Sequence, residues 1–382
     1  MRQAARIIPT YTADTSGVCS ALFELGGMTV VHDASGCNST YTTFDEPRWY
    51  DSDSMVYISA LTETEAIMGD DEKLIDDIVY SALELSPRFI AICGSPVAMM
   101  IGTDFQALAA LVGERTGIPA FGLHTNGMHS YITGASEAFD AIVKVFCRRD
   151  VSRSKKLSVN IVGATPLDFS VNGSMESIRR WLADSGFEIV CCMAMGSSLD
   201  EISFAGSAHV NLVVSGSGMA AAGTLQKQFG IPYVAGVPFG DVFAKELAAE
   251  LRRAAESGQS SAPCASRRNT SAGGIAVVGE SIFAGSLVRS IEAGSEKPVR
   301  MLCSLETAEE LTAEGDVLIP AEEDAAEQFA KADSIIADPL YRPVCPDRVP
   351  FYSLPHEAFS GRCYRKRIPN LINRKFEFGE LI

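Results

Sequence analysis

Short apolar runs punctuated by glycine-containing loops recur along the whole chain, with amphipathic stretches between them. MTVVH, RFIAICG, IPAFGLH, LSVNIVG, FEIVCCM, VNLVVSG, IPYVAGV, GIAVVGE, VRMLCS, GDVLIPA, SIIAD and PFYSLP are too short for helices and are predicted as strands. Between them Glu72–Leu85, Ala135–Arg148, Met175–Asp184, Val242–Ala255 and Gly285–Ala293 place apolar residues at helical spacing. Runs that are apolar throughout, alternating with helices, predict parallel sheets covered on both faces. The expected fold class is α/β, with three Rossmann-like domains.

Two breaks in the pattern divide the chain. The basic run 148–156 (RRDVSRSKK) and the Ser/Gly-rich run 257–274 interrupt the alternation. They suggest an N-terminal domain over 1–150, a middle domain over 151–265 and a third over 270–355, with a C-terminal tail over 356–382.

At 382 residues, 47% apolar and 21% charged, the chain can bury several cores. A formal charge of -16 argues against nucleic acid and anionic membranes as partners. The start of the chain shows no apolar secretory segment, and no run has the length of a membrane span, so a cytoplasmic location is expected. Ten cysteines in such a setting suggest thiols kept for packing or metal rather than disulfides.

The stretch 12–49 carries the densest chemistry. Cys19 falls on a helical stretch before the strand MTVVH, and Cys37 falls just after it, in the turn HDASGC beside Gly36. Ligands gather at strand C-terminal ends in open α/β sheets, so the pair is placed to hold a metal. The same spacing also suits two small buried hydrophobes. Gly216-x-Gly218-x-x-Ala221 follows a strand, with Asp241 downstream, and outlines a dinucleotide fingerprint. Close helix–strand packing would need the same small residues. Gly218 to Gly223 has phosphate-loop spacing, but Thr224-Leu225 stands where Lys-Ser/Thr is required, so ATP is excluded there. His124, Asn126 and His129 share a loop after a strand, and His356 lies in PFYSLPHEAF. Such loops collect functional residues, which makes these four candidates for a substrate cavity. The acidic stretch 62–73 reads as a loop feeding a helix N-terminus.

Taken in order, these stretches resemble the nitrogenase component 1 type oxidoreductases, the family of nitrogenase, protochlorophyllide reductase and the F430 reductive cyclase. The family's His-Gly-Pro-x-Gly-Cys turn is similar to His32–Cys37, and its upstream cluster cysteine to Cys19. Residues 61–74, PVAMMIGTDF, LQKQFGIPYVAGVPFG and PFYSLPHEAFSGR resemble further family stretches, the last holding the histidine of the nitrogenase cofactor.

The resemblance implies a Cys-ligated [4Fe-4S] cluster at a subunit interface, fed by an ATP-dependent iron-protein reductase. It implies a homodimer, or a heterodimer with a paralogous subunit, reducing a small molecule or tetrapyrrole. Cys19 and Cys37 become the implied ligands, two per chain in a dimer sharing one cluster. The family's third cysteine aligns with Pro96, so Cys93 would substitute only with a rearranged loop. The cofactor cysteine of nitrogenase aligns with Ala222, which argues against dinitrogen reduction. A cluster or cofactor assembly scaffold, and a nucleotide-dependent oxidoreductase using Gly216–Ala221, stand as alternatives.

Overall fold

Thirteen strands, counted among the described residues, pair into three separate sheets, and every pairing between them is parallel. The structure is a computed structural model that describes residues 6–7, 13–34, 36, 46–266 and 273–374.

The first sheet follows α1 (Asp14–Leu22) and uses β1 (Met28–His32), β2 (Met55–Ile58), β3 (Ile90–Gly94) and β4 (Ala120–Gly122), in the order β2-β1-β3-β4. β1 and β3 are buried along their whole length, as a sheet covered on both faces requires. Between β2 and β3 run α2 (Glu63–Met68) and α3 (Asp71–Leu85), and between β3 and β4 run α4 (Pro96–Met100) and α5 (Phe105–Thr116). α3 turns Leu74, Ile75, Ile78 and Ala82 inward, one face of a helix. The expectation of a loop over 62–73 is corrected here. Thr62 accepts from Glu65 N while Glu65 accepts from Thr62 N, a capping box that starts α2 and satisfies two helix-end donors.

α6 (Tyr131–Phe146) closes this unit by crossing α1 at backbone distance. A Cβ on Gly17 would fall 2.0 Å from Tyr131 O, and one on Gly134 would fall 1.9 Å from Asp14 O. Glycine at both positions is what lets the two helices touch.

The middle sheet, ordered β6-β5-β7-β8, contains β5 (Ser158–Val162), β6 (Glu188–Cys192), β7 (Val210–Val213) and β8 (Tyr233–Ala235). Its helices are α7 (Pro166–Phe169), α8 (Ser174–Asp184), α9 (Leu199–Ser203), α10 (Met219–Phe229) and α11 (Asp241–Ser257). The third sheet, ordered β11-β10-β9-β12-β13, contains β9 (Ile275–Gly279), β10 (Val299–Cys303), β11 (Val317–Leu318), β12 (Ser334–Ala337) and β13 (Phe351–Ser353). With it go α12 (Ser281–Glu292), α13 (Glu322–Phe329) and α14 (Glu357–Ser360).

The segment from 356 does not behave as a detached tail. His356 N donates to Asp338 Oδ2 at 2.8 Å, and Ala358 and Phe359 are buried in the core. Further on, the chain returns to the middle unit, where Asn172 Nδ2 donates to Ile368 O and Ile372 bridges Phe239. No helix among the described residues is long and apolar enough to cross a membrane.

Candidate functional site

Three places bring chemistry together: a thiol pair on the first sheet, a buried polar junction where the three units meet, and an open cleft between the first and third units.

Cys19, on α1, and Cys93, next to last in β3, are both buried and close enough for the Cys93 side chain to perturb the Cys19 thiol. Cys93 pairs in register with Val31 of β1, so it sits one residue short of the strand's C-terminal end. Cys93 is thus near Cys19 from its place on the strand itself. The Cys93 hydrogen bond, and then burial, push the Cys19 thiol well above its ordinary pKa. Such a thiol stays protonated until a metal ion draws off the proton.

Cys37 lies outside the described residues. Among the described residues no three His, Cys, Asp or Glu side chains collect in a metal-holding group. The donor set seen is therefore two soft thiols in an apolar setting, which fits iron–sulfur or zinc chemistry better than a hard cation. Among the described residues nothing lies within 4 Å of where a Cβ on Gly36 would be.

Sequence patterns did not point to Arg48, which holds the far end of α1. Its Nε is 2.6 Å from Glu46 Oε1 and its Nη1 is 3.2 Å from Glu24 Oε2. It also donates to Ser20 O at 2.8 Å and, across to the middle unit, to Ala194 O at 2.6 Å. Three separate stretches of chain are joined by one guanidinium, a use of Arg that no local pattern announces.

At the junction, Tyr131 of α6 donates its hydroxyl proton to Asp168 Oδ1 of α7. His356 Nε2 lies 3.4 Å from the same oxygen, yet both imidazole nitrogens and Asp168 Oδ2 lack a hydrogen-bond partner. Glu280 stands between units with four donors. Oε1 accepts from Gly216 N at 2.9 Å, Ile282 N at 3.0 Å and Ser281 Oγ at 2.9 Å, and Oε2 accepts from Phe283 N at 2.9 Å. Burial, and then the Asp168 charge, raise the Glu280 pKa despite those donors. Burial, then Asp168 and Glu280, push the Tyr131 phenol well above its usual value. The two voids beside His356 measure only about 20 and 10 Å³. Each holds a water at most, so neither void, as the described residues form it, is a chamber for a tetrapyrrole or metal cofactor.

Glu280 also decides the glycine motif. The Gly216 N–H that a pyrophosphate would take is already given to a carboxylate of the third unit. A Cβ on Gly218 would meet Val162 backbone at 2.8 Å, so that glycine serves helix–strand packing. Asp241 begins α11 rather than ending a strand. The nucleotide-dependent reading is corrected on these grounds, because a negative side chain fills the phosphate position.

The open cleft measures about 770 Å³. The loop after β4 supplies Met128 and His129, the loop after β10 supplies Leu305 and Glu306, and the first residue of α13 supplies Glu322. His129 Nδ1 is 3.6 Å from Glu306 Oε1, and Ser130 N donates to that oxygen at 3.0 Å. Of the four loop candidates, His129 lines this cleft. His124 is exposed, with Nδ1 3.9 Å from Glu137, and does not line it. Asn126 shapes its own turn: its N–H donates to Asp14 Oδ2 and its Oδ1 accepts from Met128 N, each at 2.8 Å. His356 is behind the cleft, past Tyr341 and Phe359, which line both spaces. The four therefore do not form one site.

Three parallel sheets in sequence, with a thiol pair on the first and a polar junction among all three, define a three-unit α/β architecture. The family model described as Nitrogenase component 1 type Oxidoreductase matches residues 16–277, and the chain belongs to that family. It is 30% identical over 230 residues to the nitrogenase iron-molybdenum cofactor biosynthesis protein NifE of Clostridium pasteurianum, covering 56% of this chain and 48% of that protein. It is 28% identical over 187 residues to one of the light-independent protochlorophyllide reductase subunits of Nostoc punctiforme, covering 46% of this chain and 36% of that one. The matched regions thus span less than half of these curated relatives. The solved structure of nitrogenase Cp1 at pH 5 shares the fold, with a TM-score of 0.65, 16% identity and coverage of 94% of this chain and 85% of that one.

Proposed function

We propose that this chain is the cluster-bearing component of a nitrogenase-like reductase that does not reduce dinitrogen. The meeting of the Cys19 and Cys93 thiols at the C-terminal end of β3 carries the reading. With Cys37 as a further thiolate, these residues would hold a [4Fe-4S] cluster, alone or shared with a second subunit. When bound, the cluster takes up and releases single electrons. The protein's own part is to keep the thiols together and shielded, through the α1–α6 crossing and the Arg48 ties. An ATP-dependent iron protein would supply electrons, and a homodimer or a pair with a paralogue would complete the unit in the cytoplasm. Reduction would take place in the cleft, with His129 as proton donor. The small voids beside His356 among the described residues, and Ala222 in place of a cofactor cysteine, support the reading that dinitrogen is not the substrate.

A non-catalytic assembly scaffold is the second reading. The likeness to a cofactor biosynthesis protein favours it. Anaerobic purification with iron and sulfide counting tests the cluster: about two irons per chain indicate a cluster shared by two chains, and about four indicate one cluster per chain. Serine at Cys19 or at Cys93 should each lower the iron content by at least half. Full iron in both variants refutes the assignment. Electron uptake from a reductase without any substrate turnover would favour the scaffold.

A further inference from the structure

The cleft has a chemistry of its own that narrows what it can bind. It is built from the C-terminal ends of strands in two different sheets, the position at which α/β folds collect ligands. Its volume of about 770 Å³ suits one drug-sized molecule. The floor is apolar and aromatic, with Leu305, Ile319, Pro320, Tyr341 and Phe359. Glu306 and Glu322 stand at the rim, and among the described residues no lysine or arginine side chain lines the space.

Both carboxylates are held ionised. Glu306 stays below the usual carboxyl range even though burial acts to raise it, because the Ser130 hydroxyl and N–H and the His129 charge favour the anion. Glu322 accepts from Arg6 N at 2.7 Å and Ile7 N at 3.1 Å, which lowers its pKa, with the Arg6 charge assisting. Arg6 lies outside the lining. Backbone donors orient these carboxylates without neutralising them, and the Arg6 charge and a protonated His129 offset them in part, which leaves Glu306 and Glu322 as the acidic groups of the lining.

We propose that this cleft binds a ring-bearing, largely apolar molecule whose polar groups are amine or amide N–H donors, and that it rejects polycarboxylates such as tetrapyrroles bearing propionates. A ligand carboxylate would meet Glu306 and Glu322 with no lysine or arginine side chain among the described lining residues to receive it, an unfavourable like-charge contact. This rests on the reading of the cleft as the place of reduction, and it replaces the tetrapyrrole with an amine-bearing substrate class.

The test uses two dyes with one fluorophore, dansylcadaverine (a free amine) and dansylglycine (a carboxylate), titrated by anisotropy against the purified full chain. The amine dye should bind about tenfold tighter than the acid dye. Glu306→Gln with Glu322→Gln should bring the two within about twofold. Asp184→Asn with Glu256→Gln, exposed carboxylates elsewhere, should leave the preference intact and so separate the cleft from the overall charge. Ala321→Trp, at an exposed cleft residue, should remove binding of both dyes. Equal binding of the two dyes, or binding that survives Ala321→Trp, overturns the proposal. Iron content is measured on the same samples: an iron-free chain that keeps the dye preference rejects the cluster and retains the cleft, and the reverse result does the opposite.

Discussion

Replacing Glu280 with alanine should loosen the contact between the middle and third units. The side chain accepts from three backbone N–H groups and one hydroxyl, and it is the N-cap of α12. Loss of an N-cap costs about 1 kcal/mol, and the stranded Gly216 N–H costs about 1–3 kcal/mol more. Removing a buried carboxylate returns part of this, because its raised pKa means that burial disfavours the charge. The net loss should be about 2–3 kcal/mol. Glu280→Gln keeps one acceptor oxygen and should lose about 1 kcal/mol. The pH dependence follows from the direction of the shift. With the folded pKa above the unfolded one, the contribution of Glu280 is full below the unfolded pKa and fades as pH rises through the folded pKa. The stability advantage of the native chain over Glu280→Gln should therefore shrink as pH rises from about 4 toward neutrality. Urea titrations followed by the fluorescence of Trp49 and Trp181 measure both effects as shifts in midpoint at constant slope. A loss below about 1 kcal/mol for the alanine variant, or a gap that widens with pH, refutes the reasoning.

Two further outcomes can be checked quickly. Gly134→Ala drives a methyl into Asp14 O and should cost at least about 2 kcal/mol, whereas Gly223→Ala in α10 meets nothing within 4 Å and should gain about 0.5–1 kcal/mol; thermal melts compare them. NADH and NADPH should leave the melting temperature unchanged, since Glu280 holds the Gly216 N–H, and a saturable stabilisation by either would restore the nucleotide reading.

Much of the fold was readable because the strands of these sheets are apolar on both faces and so stand out as unbroken runs. All twelve predicted runs contain observed strands. β2 escaped although Met55–Ile58 is itself a four-residue apolar run; it lies at a sheet edge with Val56 alone buried. Cys19 was legible as a candidate from its setting, but its nearness to Cys93 was not, because sequence offsets say nothing about which strand faces which helix. The junction was invisible for a similar reason. Tyr131, Asp168, Glu280 and His356 come from four distant stretches, and only His356 lies in a stretch that the sequence singled out for its chemistry. The glycine fingerprint misled because the same spacing serves phosphate binding and tight packing, and the acid that settles the matter lies in another unit.

The glycine contact between α1 and α6 limits how Cys19 can behave. A helix seated backbone to backbone on its neighbour, with its last turn held by Arg48, has no slack to slide or rotate. Its thiol is thus a fixed post: a bound group must match the post's position, because the post will not travel to meet it. Were the proposed cluster bound there, such stiffness would keep its geometry nearly the same in both redox states. Little of the driving force would then go into moving atoms, and the rate of exchange would depend on distance and potential.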